Sequence, residues 1–339
     1  MLVTIKDIAK KAGVSVATVS YVLNERPVSD GMKDKVLKAI DELNYVPNEV
    51  ARRLRVKKNY TIALVLPDIT NPFYPDLAKG CQDAAKENGF MLIMINTEDK
   101  EDQLKDVMNQ VRQGGIDGLI LANAMERDMS QVQSLLETQI PVVFAHRFIE
   151  GIEADSVTAD NFTGGYKATK HLIQHGHQHI AIIEGLLGSS VSLNRKKGHE
   201  KAMQEAGFTV PPEWIIKGET DYELTYNRVT QLLTSTHEKK PTAIFSSSDL
   251  MALAAVDAAK NAGFSIPDDL AVTGYDDLFM TSSLKLTTVH VPRYEIGRQA
   301  VQMLINKINN QQSSSSSQPV VLDTSLIIRK TSGDLKSLK

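Results

Sequence analysis

Beyond Thr61 the chain repeats one alternation: a short apolar run, then a longer amphipathic stretch with helical spacing. The runs TIALVLP, FMLIMIN, DGLILA and PVVFAH are separated by helical patterns that begin near Pro75, Glu101 and Met129. A second series, HIAIIEG, TAIFSSS and LAVTGYD, is interleaved with patterns that begin near Phe162, Leu193, Tyr222 and Asp249. Short strands without a polar face need cover on both sides, and intervening helices supply it through right-handed crossovers. The alternation therefore predicts parallel sheets, and its two series predict two similar lobes. In open α/β sheets ligands lie beyond the carboxyl ends of the strands, so a cleft between the lobes is the expected binding site.

The first part of the chain obeys a different period. Ile5, Ile8, Ala9 and Ala12 fall on one helical stripe, and Gly13 supplies the left-handed residue that stops a helix. Ser15 can cap a second helix with its hydroxyl, and Val19, Val22 and Leu23 give that helix an inward stripe. Val36, Leu37, Ile40 and Leu43 form a third stripe. Three short helices with a glycine turn between the first two predict a helix-turn-helix unit, whose second helix enters the DNA major groove. Its outward positions are Val16, Ala17, Thr18, Ser20 and Tyr21. None is Arg, Asn or Gln, so bidentate base contacts are unavailable from this face. Val16 and Ala17 suit thymine methyl groups, and Tyr21 suits a base edge or a phosphate.

Charge supports that reading. Residues 1–58 hold twelve Lys and Arg against seven Asp and Glu, a net +5, whereas the remainder carries −8. A basic head on an acidic body suits a polyanion. The segment YVPNEVARRLRVKKN, Tyr45 to Asn59, concentrates the cations. Pro47 ends what precedes it, Asn48 can cap a short helix reaching about Val56, and two turns alone in water are marginally stable. Leu54 stands among Arg52, Arg53 and Arg55, the pattern of an apolar wedge that enters a minor groove and parts a base step.

One cysteine, Cys81, in 339 residues excludes an internal disulfide framework and suits a reducing compartment. The start carries no secretory pattern, and the apolar runs are too short to span a bilayer, so a cytoplasmic chain with no membrane partner is expected. No phosphate-binding loop, dinucleotide fingerprint, nucleophile elbow or metalloprotease motif is present, and no cofactor is implied. An enzyme with a cryptic site in the interlobe cleft is the competing class; a secreted sugar-binding protein shares the two-lobed body but is disfavoured by the missing secretory pattern and the DNA-binding head.

The stretches TIKDIAKKAGVSVATVSYVLN and KVLKAIDELNYVPNEVARRL closely resemble the DNA-binding head and hinge helix of the LacI/GalR repressor family, and the likeness runs through the whole chain. The resemblance implies an all-α helix-turn-helix head followed by a two-lobed core of parallel sheets, built like periplasmic sugar-binding proteins. Residues 1–47 would form the head, 48–59 the hinge helix and linker, and 60–339 the effector-binding and dimerisation core. The first lobe would comprise about 60–160 and 292–319, the second about 161–290 and 320–331, with crossings near Val157–Phe162, Val289–Arg293 and Pro319–Leu322. The family positions of Val16, Ala17 and Tyr21 discriminate operator bases, and that of Leu54 is the minor-groove wedge. Thr4, Ser15, Thr18, Ser20, Asn24, Asn48, Ala51, Arg52 and Arg55 complete the expected DNA-binding set. The expected protein is a homodimeric repressor on a palindromic operator, with the Cys81 helix as an interface element and a tail too short and polar for a tetramer helix.

The expected effector site gathers Phe73 and Tyr74 from NPFYPD, Arg195 from SLNRKKG, Asp276 from GYDD, and Ser248 and Asp249 from SSSD, with Asp160 at the first crossing. The family positions of Arg195 and Asp276 commonly hold polar groups of the effector. Phe73 could stack on a sugar ring or base, or pack the lobes together; Asp249 could bind effector or cap a helix. Where family members often carry an acidic residue, this chain has His146 before Arg147, which makes that side of the cleft more basic. The expected effector is a sugar or sugar derivative with an anionic group, the alternatives being a nucleobase or a phosphoprotein corepressor. The run HLIQHGHQH sets His171 and His175 four residues apart with His177 and His179 following, but no cysteine or paired carboxylate accompanies them, and no metal site is assigned.

Overall fold

The computed structural model describes residues 3–23, 26–45, 59–112, 115–138, 140–236, 240–309, 317 and 319–333. The chain forms two compact units, Met1–Asn59 and Tyr60–Lys339.

In the first unit, α1 (Ile5–Ala12) starts where the Asp7 carboxylate accepts from the amide and hydroxyl of Thr4, at 2.8 and 2.6 Å. Gly13 ends it at φ 65°, a conformation costly for a residue with a Cβ. In α2 (Val16–Leu23), Ser15 Oγ accepts from Thr18 N at 3.0 Å, satisfying a first-turn amide. With α3 (Asp30–Glu42) these helices bury Ile8, Ala9, Val19, Val22, Val36 and Ala39. Leu37 departs from the expected stripe: it is 48% exposed, and Ala39 takes the inward place. One residue on from Val36 lies about 100° around the helix, outside the face that Val36, Ile40 and Leu43 present inward.

The second unit holds two six-stranded sheets. The first lobe contains β1 (Thr61–Leu66), α4 (Tyr74–Glu87), β2 (Met91–Asn96), α5 (Glu101–Arg112), β3 (Gly118–Leu121), α6 (Met129–Leu136), β4 (Val142–Ala145) and β5 (Asp155–Ala159). The second contains α7 (Asn161–Gln174), β6 (Ile180–Glu184), α8 (Ser190–Glu205), β7 (Ile215–Lys217), α9 (Tyr222–Thr234), β8 (Ala243–Ser246), α10 (Asp249–Asn261), β9 (Ala271–Asp276) and β10 (Thr287–His290). The chain then returns through α11 (Arg293–Asn309) and β11 (Pro319–Leu322) to the first lobe, and its last described strand is β12 (Ser325–Ile327) of the second. The sheet orders are β11-β5-β4-β3-β1-β2 and β12-β10-β9-β8-β6-β7.

Strand β1 shows why the apolar runs were continuous. Ile62, Leu64 and Leu66 join the cluster of α4 and α11, while Ala63 and Val65 join that of α5 and α6. Every described pairing is parallel except β10 with β12. The third crossing departs from expectation. Residues 319–322 pair in parallel with Ser156–Ala159 in the first sheet, so the chain crosses at Asp323–Thr324 and residues 320–322 belong to the first lobe. The open edge of β5 claims a last strand before the chain leaves. Among the described residues no helix is long and apolar enough to cross a membrane.

Candidate DNA-reading head and effector cleft

In the head, Val16, Ala17 and Tyr21 are exposed on one side of α2, whereas Thr18 and Ser20 are half-buried. Thr18 Oγ1 lies 2.9 Å from Ser15 Oγ, so this pair is engaged in the cap. The Arg26 guanidinium lies 5.8 Å from the Tyr21 ring centroid, bringing a cation beside the reading face. The Thr4 hydroxyl is occupied by Asp7. Asn24, Asn48, Ala51, Arg52, Leu54 and Arg55 lie outside the described residues.

The cleft lies between the lobes of the second unit and encloses about 510 Å³, part of it open to solvent. Its lining includes Phe73, Tyr74, His146, Arg147, Arg195, Ser248 and Asp276 from the expected set. It also includes Asn71, Ser189, Ser192, Thr220 and Ser247, which the sequence reading did not select. Asn71 opens the NPFYPD stretch, Ser189 and Ser192 precede Arg195 by six and three residues, and Ser247 precedes Ser248, so proximity to expected residues is the available signal for all but Thr220.

Arg195 is placed by glycines. On α7 a Cβ at Gly165 would sit 2.3 Å from Arg195 O, and on α8 a Cβ at Gly198 would sit 2.1 Å from Phe162 O. Only bare backbone lets the two helices approach this closely. The guanidinium, 3% exposed, donates from Nε to Asn161 Oδ1 at 2.9 Å and from Nη1 to Ser247 O at 2.5 Å. Nη1 also lies 3.0 Å from Asp276 Oδ1, and the group stacks 3.7 Å over the Tyr275 ring. Its Nη2 is buried without a hydrogen-bond partner among the described residues, as are Ser247 Oγ and His146 Nδ1. Each such group costs about 1–3 kcal/mol until a partner arrives.

His146 sits at the end of β4 with φ 67° and 6% exposure. Its ring centroid lies 4.1 Å from that of Phe73, which is 3% exposed. One Phe73 face therefore meets an imidazole of its own lobe, and the residue also lines the cleft. Burial, then Arg195, Arg147 and Arg293, push the imidazole well below its ordinary pKa, so it stays neutral. Arg147 Nη1 donates to Asp99 Oδ1 at 2.8 Å. Burial likewise pushes the neighbouring Tyr74 phenol up to about 12. The expected surplus of positive charge is thus offset: His146 is uncharged, and Arg147 and Arg195 each have a carboxylate. Across the cleft mouth, Glu126 N donates to Gly188 O at 3.0 Å and Phe148 N to Ser190 Oγ at 3.1 Å, joining the lobes.

Two expected effector residues are employed elsewhere, and neither lines the cleft. Asp160 caps α7, its Oδ1 accepting from Thr163 N at 2.9 Å. Asp249 accepts from Leu278 N at 2.8 Å and Thr288 Oγ1 at 2.6 Å; Ser248 is the residue that caps α10. The histidine run ties neighbouring segments together. His171 Nε2 lies 2.8 Å from Ser332 Oγ, and His177 Nδ1 lies 3.1 Å from Thr242 Oγ1. Burial, then His175 and His177, lower His171 to about 4. Among the described residues no cluster of three or more His, Cys, Asp or Glu could hold a metal.

A helix-turn-helix head and a two-lobed core with an unfinished polar cleft define a DNA-binding regulator with an effector-binding domain. Known proteins agree. The family described as bacterial regulatory proteins, lacI family, matches residues 4–48, and that described as periplasmic binding proteins and sugar binding domain of LacI family matches residues 59–326. The chain belongs to the LacI family of transcriptional repressors. It is 34% identical over 338 residues to the HTH-type transcriptional repressor PurR of Aliivibrio fischeri, covering 97% of this chain and 99% of that protein. It is equally 34% identical over 338 residues to the ribose operon repressor of Haemophilus influenzae, covering 99% and 100%. Among solved structures it is similar to the lac repressor dimer bound to operator and the anti-inducer ONPF, with a TM-score of 0.88, 26% identity and coverage of 98% and 100%. A CelR–cellobiose complex matches with a TM-score of 0.74, 28% identity and coverage of 97% and 99%.

Proposed function

We propose that this repressor acts as a homodimer on a palindromic operator and that a small polar molecule, a sugar or sugar derivative, binds between the core lobes and changes its hold on DNA. The observation that carries the reading is Arg195: a buried guanidinium fixed on three sides, with Nη2 left for an acceptor. Beside it His146 Nδ1 and Ser247 Oγ can each give or take a hydrogen bond, which matches hydroxyl groups. With Arg147 and Arg195 already paired, an anionic group on the effector is tolerated against Arg195 Nη2 and is not required. We take the chain to be a binding protein and not an enzyme.

Dimer formation is supported by β2, the edge strand of its sheet, where Met91, Ile93 and Met94 are 57, 42 and 54% exposed. An apolar sheet edge of this kind invites a partner. The Cys81 face of α4 is instead used internally, with Cys81 Sγ 3.4 Å from Gly297 O. Two-fold symmetry in the protein would be mirrored in the operator. A second reading, a nucleobase effector, is favoured by the PurR relatives.

The test is a thermal-shift screen with ribose, cellobiose, sugar phosphates, sugar acids and nucleobases. A ligand at a hundredfold excess over its Kd adds about 2.7 kcal/mol of stability. A hit among sugars supports the first reading and a hit among nucleobases the second. A flat response would move the reading to a protein corepressor. Retention on heparin that disappears when residues 1–59 are removed tests the head separately.

A further inference from the structure

Arg293 opens α11, where the chain re-enters the first lobe, and it lies outside the cleft lining. It is 8% exposed, and its fork faces both lobes. Toward the second lobe, Nη1 donates to Asp276 O, and both Nη atoms lie 3.4 Å from Asp277 O. Toward the first, Nε and Nη2 donate to Asp76 Oδ2 at 3.2 and 2.7 Å. Asp76 belongs to the first turn of α4, just beyond Phe73 and Tyr74, and the guanidinium lies 5.9 Å from the Phe73 ring centroid.

The second-lobe end of this clamp is rigid. Asp277 Oδ1 is held by Arg329 at 2.7 Å and its Oδ2 lies 3.1 Å from His290 Nδ1. Asp276 and Asp277 have φ of 113° and 53°, conformations that non-glycine residues keep only when their surroundings over-determine them. One residue therefore serves two masters: the Asp276 side chain meets Arg195 in the cleft, while its carbonyl meets Arg293. A change in the Asp276–Arg195 pair that turns this peptide must move the carbonyl held by Arg293, and with it the fork on Asp76. A planar fork spans carbonyl and carboxylate together, which a lysine ammonium cannot.

We propose that Arg293 is a positioning residue that transmits the state of the effector cleft from Asp276 to the first lobe, with Asp76 as its receiving carboxylate. The proposal rests on the reading of the cleft as the effector site. The test uses the full chain and a duplex selected by it from a random-sequence pool. The cleft probes are ribose, cellobiose, adenine, guanine and hypoxanthine, with affinity measured by calorimetry. For each probe that binds, the half-saturating duplex concentration is measured with and without it.

In Asp76→Asn, probe affinity should stay within about twofold of wild type while the probe-induced change in duplex affinity shrinks on the order of threefold, the scale of a partly exposed ion pair. Arg293→Lys, which keeps the charge and loses the fork, should lose at least as much of the response. Asp83→Asn, on the same helix but paired with Lys79 and Tyr294, should respond as wild type does. A full response in both Asp76→Asn and Arg293→Lys would overturn the proposal. So would a loss of probe affinity in Asp76→Asn that accounts for the lost response, since Asp76 would then belong to the binding site. If no probe binds wild type, the effector reading itself fails and this proposal falls with it.

Discussion

Replacing Arg195 by Met tests whether the cleft is built around a buried charge pair. The substitution keeps a long apolar stem but removes the hydrogen bonds to Asn161 and Ser247 O and the contact with Asp276. Asp276, 5% exposed, would then be buried without that cation. Breaking one side of a buried pair costs about 3–5 kcal/mol, chiefly because the other charge is stranded. Asp276→Asn alone strands Arg195 in turn, whereas the double variant strands neither. The two single costs should therefore exceed the double by about 1–3 kcal/mol, the coupling of residues in contact. The assay is urea unfolding followed by Trp214 fluorescence. Trp214 is the one tryptophan of the chain, 3% exposed, with its ring 5.4 Å from that of His179 in the second lobe. A cost below about 1 kcal/mol for Arg195→Met, or single costs that simply add, would refute the pair as the organising contact of the cleft.

Three further outcomes are expected. Burial, then Asp276, raise the Asp249 carboxyl above its ordinary range, so the folded core binds its proton more tightly than the unfolded chain does. That contribution is full below the unfolded value near 3.8 and fades as pH rises through the folded value, so urea midpoints should fall from pH 5 to pH 8, and Asp249→Asn should flatten the slope. Ser15→Ala should cost the head about 1 kcal/mol by exposing the Thr18 amide, seen as a lowered melting temperature of residues 1–59 by circular dichroism. Gly165→Ala should destabilise the core by about 1–3 kcal/mol, because its Cβ meets backbone and not a yielding side chain; an unchanged Trp214-monitored midpoint would show that α7 and α8 can separate freely.

Much of the architecture was legible because its signals are local. The runs around Thr61, Gly118, Val142, Ile180, Ala243 and Ala271 became buried parallel strands, since a strand covered on both faces carries apolar residues without alternation, whereas the run at Met91 became the exposed edge strand β2. Strands β5, β7, β10, β11 and β12 were not selected. DSVTA, with its aspartate and serine, and the three-residue IIK give little apolar signal; their strand character comes from neighbouring edges that demand a partner. The same limit applied to the site. Strand ends pointed to Arg195, His146 and Asp276, but Asp99, which offsets Arg147, lies 48 residues away from it in sequence. No period or motif marks such a pairing, so the cleft read as more basic than it is.

The carboxyl end of β9 is where the proposed binding and the proposed response would meet. Parallel strands release their chains at the carboxyl edge, the only edge where loops are free to carry function. Here the loop must also turn into the hinge, so Asp276 and Asp277 occupy left-handed conformations that cost about 1–3 kcal/mol each. Arg195, Arg293, Arg329 and His290 hold that turn from four directions, and Asp249 accepts the next amide, that of Leu278. A turn so constrained has few neighbouring conformations of similar energy. On the proposed reading of the cleft, a ligand that competes for the Arg195 side of Asp276 would act on the whole turn at once, and a small change of contact there would become a discrete change at the hinge.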